Sequence, residues 1–229
     1  MKKIQYKAAS IIWKSDVIPF SNQFQDPYFS VDGGLAESQY VFIKGNDLYD
    51  RLIDGFKIAE LGFGTGLNLL SVIRLWASLG RPGKLNFTSF EAFPIKPADM
   101  RRALKNFPDL INLSNYLCDI LERGATHFEI KNINVQLIYG DARETIITWD
   151  DIVDAWFLDG FAPIKNPELW GNELLTSVAN KTIVGGTFST YTAAGAVRRN
   201  LTKLGFEVTK TKGFGNKRHM LLGKKIGQE

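Results

Sequence analysis

The segment Glu60-Leu61-Gly62-Phe63-Gly64-Thr65-Gly66 follows an apolar run, Phe56-Lys57-Ile58-Ala59, and leads straight into a helical pattern. Glycines in that place allow a tight turn and let a ligand approach the backbone beside a helix N-terminus. A glycine loop alone is only a turn; its spacing carries the information. A dinucleotide fingerprint needs its third glycine at position 67, which is Leu67. The pattern is E-x-G-x-G-x-G, and an acid at the end of the strand repels a pyrophosphate. It favours a cationic ligand, and S-adenosylmethionine carries both an ammonium and a sulfonium. The spacing therefore points to that donor and away from a nicotinamide dinucleotide.

Two further acids close later strands. Leu85–Glu91 ends Ser89-Phe90-Glu91, and Val135–Tyr139 runs into Gly140-Asp141-Ala142-Arg143. In open α/β sheets ligands bind at the C-terminal ends of strands. Glu91 is thus placed to accept ribose hydroxyls, and Asp141, with Ala142 beside it, to accept from an adenine amino group. Each acid alone reads equally as a surface carboxylate; acids at three consecutive strand ends make a nucleoside site.

The fourth strand, Ala155–Leu158, opens into Asp159-Gly160-Phe161-Ala162-Pro163-Ile164-Lys165-Asn166-Pro167. A carboxylate, an aromatic and a proline here resemble the D/N-P-P-aromatic loop of amine methyltransferases. Gly160 replaces the first proline, and the aromatic comes one place early. An alkyl amine with a pKa near that of lysine has a free lone pair in only about one molecule in a few thousand at pH 7, a penalty of about 4–5 kcal/mol. Asp159 would orient such an amine and take or relay its proton, and Phe161 would pack against a flat base. Attraction to a carboxylate alone raises the amine's pKa, so the gain must come from desolvation and aim.

These residues need a frame. From about residue 56 short apolar runs alternate with helical patterns, the clearest helix being Leu67–Leu79. Further helices are expected over Pro97–Asn106, Leu110–Gly124, Leu169–Val178 and Ala193–Leu204, and a fifth strand over Gly186–Tyr191. This alternation predicts a mostly parallel sheet with helices on both faces. Only Gly213–Arg218 separates Phe206–Lys212 from His219–Gly223, too short for a crossover, so these two strands must form an antiparallel hairpin. Residues 1–50 lack the rhythm and are expected as an extension packed over the ligand edge of a domain spanning 51–229. Within them, Gln5–Lys7 and Ile11–Lys14 suggest a hairpin, Asp26–Gly34 a loop, and Gly34–Leu48 starts as a helix.

Composition sets the outer limits. The 229 residues are 45% hydrophobic and 23% charged, which excludes fibrous and disordered chains and leaves no room for a second large catalytic domain. Cys118 is the only cysteine, so there is neither an internal disulfide nor a Cys-rich zinc site; His127 and His219 lie far apart, and no metal is expected. The N-terminus lacks a signal-peptide apolar segment and no window suggests a membrane span, so a cytoplasmic location is expected. Net charge is +4, and the excess is concentrated after Gly195, where nine Lys and Arg face Glu207 and Glu229.

The chain resembles, over nearly its whole length, the MnmC-type methyltransferase domains of bacterial tRNA wobble-uridine modification. The carriers are Tyr28-Phe29-Ser30, Gly34-Leu35-Ala36-Glu37, Gly45-Asn46-Asp47-Leu48, Gly62 to Asn68, the Asp159–Trp170 block, Thr192-Ala193-Ala194-Gly195 with Arg198 and Arg199, and Lys212-Gly213-Phe214-Gly215 with Lys217 and Arg218. The resemblance implies a class I S-adenosylmethionine-dependent fold of seven strands, ordered 3-2-1-4-5-7-6. It implies methyl transfer to the primary amine of an aminomethyl-uridine, often 2-thiolated, at the wobble position. Glu60, Gly62, Gly64 and Gly66 would then hold the methionine end of the donor. Arg198, Arg199, Lys217 and Arg218 would contact phosphates of the anticodon arm. Tyr28 and Glu37 would close over the site, Glu37 assisting with the amine proton. Many such domains are fused to an FAD-dependent oxidase; the length here leads us to expect no fused oxidase and an amine supplied by a separate enzyme. An N-methyltransferase for a small amine or a protein, and a non-catalytic S-adenosylmethionine- or RNA-binding module, are the competing readings.

Overall fold

The computed structural model describes residues 7–14, 16–30 and 33–227. The N-terminal part contributes three short antiparallel strands, β1 (Ile11–Trp13), β2 (Pro19–Ser21) and β3 (Asp26–Pro27). Ile11–Trp13 pairs with Pro19–Ser21; of the hairpin expected with Gln5–Lys7, Gln5 and Tyr6 lie outside the described residues. Asp26–Pro27, expected as loop, is the third strand. Arg102 fastens this small sheet to the core: Nε donates to the Asp16 carbonyl at 2.6 Å and the guanidinium lies 4.0 Å from the Trp13 ring centroid.

Helix α1 (Gly34–Ser38) continues into a π-helical stretch, Gln39–Lys44, and α2 (Leu48–Arg51) follows. The Gly45-Asn46 pair between them is structural. A Cβ at Gly45 would lie 2.0 Å from the Val41 carbonyl oxygen, and wholly buried Asn46 donates to the Phe42 carbonyl and Ser189 Oγ.

The main sheet has β4 (Lys57–Leu61) at its centre, between β5 (Leu85–Glu91) and β8 (Val153–Leu158), all parallel. Outward from β5 come β7 (Ile133–Tyr139) and β6 (His127–Ile130); outward from β8 come β9 (Thr182–Thr190), β11 (His219–Lys225) and β10 (Phe206–Lys212). With β6 set aside the order is 3-2-1-4-5-7-6 and the antiparallel end hairpin is present. The expected seven strands are in fact eight. The addition, β6, pairs with β7 through Lys131 and Asn132, whose positive φ values of 50° and 63° suit a tight two-residue hairpin turn. Without glycine in that turn, four residues of alternating exposure give little strand signal.

Helices α3 (Leu67–Leu79), α4 (Pro97–Leu104), α5 (Ile111–Glu122), α6 (Ala142–Thr145), α7 (Asn172–Asn180) and α8 (Gly195–Lys203) complete the layers. Alternation along the strands divides the core: Ile58, Phe87, Ala155 and Phe157 belong to the cluster that includes α3, and Ala59, Leu61, Trp156 and Leu158 to the one that includes α7 and α8. The same period puts Glu60 on the face of Ile58, beneath α3. Among the described residues, no helix is long and apolar enough to cross a membrane.

Candidate active site

A cavity of about 1210 Å³ opens at the C-terminal ends of β4, β5, β7 and β8. Pockets for single drug-sized ligands run from roughly 300 to 1,000 Å³, so this one lies just beyond the upper end of that range. Of the residues singled out in the sequence, Tyr28, Glu37, Gly62, Gly64, Glu91, Asp141, Ala142, Asp159, Phe161 and Lys217 line it.

The turn after β4 shows why glycine is needed. Gly62 has φ of 91°, and a Cβ there would sit 2.2 Å from the carbonyl oxygen of Asp159. The loop after β4 and the chain leaving β8 therefore meet backbone to backbone. Gly66, at φ 77°, is the residue that starts α3 rather than part of the cavity wall. Glu91 is anchored by main-chain donors: Oε2 accepts from Gly64 N at 2.9 Å and Oε1 from Phe93 N at 2.8 Å. Burial raises its pKa, and these N–H groups oppose the rise. Asp141 caps α6, accepting from its own neighbour Arg143 through backbone N, Nε and Nη2. Those four bonds, two to each oxygen, hold its carboxyl below the usual range.

Glu60 departs from expectation. It is wholly buried and is not part of the cavity wall, because the strand's period turns it under α3. Its Oε1 accepts from Asn68 Nδ2 at 2.8 Å and its Oε2 from Ser89 Oγ at 2.7 Å. Desolvation pushes it up to about 8, against those two bonds. Asn68, absent from the sequence-derived set of site residues, lines the cavity in its place. The same Nδ2 donates to Asp159 Oδ2 at 2.7 Å, and Oδ1 accepts from Ser38 Oγ at 2.5 Å.

Asp159 is half-buried at the end of β8, where desolvation pushes its carboxyl up to about 7, with Asn68 and Lys217 opposing and Glu37 adding to the rise. Next in sequence, a Cβ at Gly160 would lie 1.9 Å from Leu169 Cδ2, so a larger residue there would require the Leu169 side chain to move. Phe161 stacks on Phe24 with centroids 4.7 Å apart, and Tyr28 meets it edge-on at 5.1 Å. Phe24 and Asp26 come from the N-terminal sheet and its turn. Asp26 accepts from Ala162 N at 3.1 Å and pairs with Lys165 at 2.7 Å, clasping that sheet to the loop after β8.

At the rim Lys217 pairs with Glu37 at 2.6 Å and stands 4.2 Å from the Tyr191 ring centroid. Tyr191 in turn donates to the Gly160 carbonyl at 2.6 Å. Lys217, expected to meet phosphate, and Glu37, expected to help with a proton, are thus engaged with each other inside the cavity. Arg198, Arg199 and Arg218 do not reach it: the first two lie exposed on α8 and the third in the β10–β11 turn.

Comparison with known proteins accords with this geometry. A family model described as S-adenosyl-L-methionine-dependent methyltransferase matches residues 110–226. The tRNA 5-methylaminomethyl-2-thiouridine biosynthesis bifunctional protein MnmC of Marinomonas sp. (strain MWYL1) is 42% identical in an alignment of 229 positions that covers 96% of this chain and 34% of that protein. The chain thus spans about a third of that relative's length. The crystal structure of MNMC2 from Aquifex aeolicus superposes with a TM-score of 0.75 at 24% identity, over 99% of this chain and 74% of that one, a likeness of fold. Since the family pattern runs through more than half of the residues, from the start of α5 to the last strand, this chain belongs to the S-adenosyl-L-methionine-dependent methyltransferases.

Proposed function

We propose that this chain methylates the primary amine of an aminomethyl-uridine, with or without a 2-thio group, at the wobble position of tRNA, giving methylaminomethyl-uridine. One observation carries the reading: Asp159, a half-buried carboxyl tuned close to neutrality, shares a cavity with the strand-end acids Glu91 and Asp141 and with an aromatic wall that suits a flat base. The extensive identity to a relative named for 5-methylaminomethyl-2-thiouridine biosynthesis supports the choice of nucleoside. S-adenosylmethionine supplies an electrophilic methyl group on a sulfonium, whose C–S bond breaks as the amine nitrogen attacks.

In this reading the backbone of Gly62 and Gly64 receives the methionine end of the donor, with Gly66 starting the helix beside it. Glu91 accepts from the ribose, and Asp141, next to Ala142, accepts from the adenine amino group. Asp159 takes the proton that the amine must lose, and its pKa near working pH suits a general base. Phe161 and Tyr28 form the wall for the uracil ring, and Lys217 with Glu37 closes the rim. Arg198, Arg199 and Arg218, exposed outside the cavity, contact phosphates of the anticodon arm.

The test uses the purified chain, S-adenosylmethionine and tRNA carrying aminomethyl-uridine, with mass spectrometry of the digested nucleosides. Conversion to the methylated nucleoside is expected, with tRNA binding that weakens steeply as salt rises. An unchanged nucleoside, or equal turnover on a free small amine, would overturn the reading.

A further inference from the structure

Two acids in this molecule are connected by a single side chain. Asn68 Nδ2 lies 2.8 Å from Glu60 Oε1 and 2.7 Å from Asp159 Oδ2, so its two N–H bonds reach one carboxyl each. An amide can do this in only one of its two flipped states. The two carboxyls fix which: facing two acceptors, the amide must present its N–H groups to them, and its Oδ1 then accepts from Ser38 Oγ, which lies 3.0 Å from Ser71 Oγ. Ser38, Ser71 and Glu60 are all buried, and Asn68 is nearly so. Turned over, the amide would set its oxygen against both carboxyls and leave Glu60 Oε1 and Asp159 Oδ2 without their donor.

We infer that Asn68 is a positioning residue: it aims Asp159 into the cavity and couples it to Glu60, so that Glu60 holds a proton while Asp159 holds the negative charge. The asymmetry follows from exposure: Glu60 has no exposed surface and has Glu91 as well as Asp159 against its charge, whereas Asp159 opens onto the cavity, where Glu37 opposes its charge and Lys217 favours it. Two carboxylates sharing one donor group cannot both ionise cheaply in a dry interior, and the more enclosed one keeps the proton. Ser89 Oγ, 2.7 Å from Glu60 Oε2, can accept that proton as readily as it donates. Asp159 is then the member free to receive a proton from a bound amine. The role adds Asn68 and Glu60 to the proposed reaction and rests on Asp159 being its base.

The experiment titrates carboxyl groups by ¹³C NMR in the protein without donor or tRNA, so its outcome does not depend on the substrate being right. Asn68→Ala should raise the Asp159 midpoint by about one unit, the effect of losing one hydrogen bond to the charged form. Glu60→Gln, which imitates the protonated acid, should leave that midpoint unmoved. If substrate turnover is present, the acidic limb of the pH profile should move with the Asp159 midpoint in Asn68→Ala. An Asp159 midpoint that stays put in Asn68→Ala overturns the inference, as does one that falls by a unit or more in Glu60→Gln. Should Asn68→Ala fail to fold, Asn68→Ser keeps a donor too short to span both acids and is expected to raise the midpoint in the same direction; no rise there overturns the inference too.

Discussion

The two halves of the cavity are held by different means. On the side of β4, β5 and β7, carboxyls are fixed by nearby backbone and neighbouring residues: Glu91 by Gly64 and Phe93, Asp141 by Arg143. On the side of Phe161 the wall is assembled from distant segments, with Asp26 against Lys165 and Glu37 against Lys217, 139 and 180 residues apart. The first half is a consequence of strand ends and turns; the second exists only after the N-terminal sheet, α1 and the end hairpin have docked. Substitutions should therefore separate into those that remove donor binding and those that leave it intact and remove transfer.

Gly62→Ala attacks the place where the halves touch. Its methyl would meet the Asp159 carbonyl at 2.2 Å in a backbone conformation unfavourable to alanine. Donor binding, followed by calorimetry, and turnover should both be lost, and the protein should melt at a lower temperature. Asp159→Ala should split the halves: donor affinity within about twofold of the parent, and turnover down by about 10²–10⁴, the usual contribution of a general base. In the parent the sign of the pH dependence follows from a raised carboxyl. Asp159 is protonated below about 7, so turnover should fall about tenfold per unit beneath that pH and recover above it. A flat profile from pH 5 to 8 would remove Asp159 as the base.

Much of the first half is legible in the sequence. Glycine spacing and the acids ending successive strands are local signals, and Gly62, Gly64, Glu91, Asp141 and Asp159 all line the cavity. Glu60 is misplaced by that reasoning because strand-end position alone does not say which face a side chain takes; the period of two, counted from Ile58, puts it under the helix. Asn68 carries a faint signal, a polar residue near the start of an otherwise apolar helix. Phe24, Asp26 and Tyr191 carry none, since nothing in one sequence pairs residue 26 with residue 165. The charge of Lys217 suggests a phosphate partner, yet the group it meets, Glu37, lies on α1. The sheet order and end hairpin are legible, whereas β6, four residues long with a glycine-free turn, is not.

Smaller effects sharpen the contrast further. Replacing Arg198 and Arg199 together by Glu should leave donor binding and thermal melting nearly unchanged, weaken tRNA binding, and reduce the salt dependence by about one counterion for each phosphate no longer neutralised. Unaltered tRNA affinity would take α8 out of the interface. The least change is expected from Lys165→Ala: an ion pair with one partner more than a third exposed should cost at most about 1 kcal/mol in denaturant unfolding.

The close approach of Gly62 to the Asp159 carbonyl has an architectural consequence. The glycine loop and the chain leaving β8 are spaced there by main-chain atoms, which exchanging side chains cannot recalibrate. In the proposed reaction, room to accommodate other nucleophiles therefore lies at the periphery, in the aromatic shelf and the charged latch.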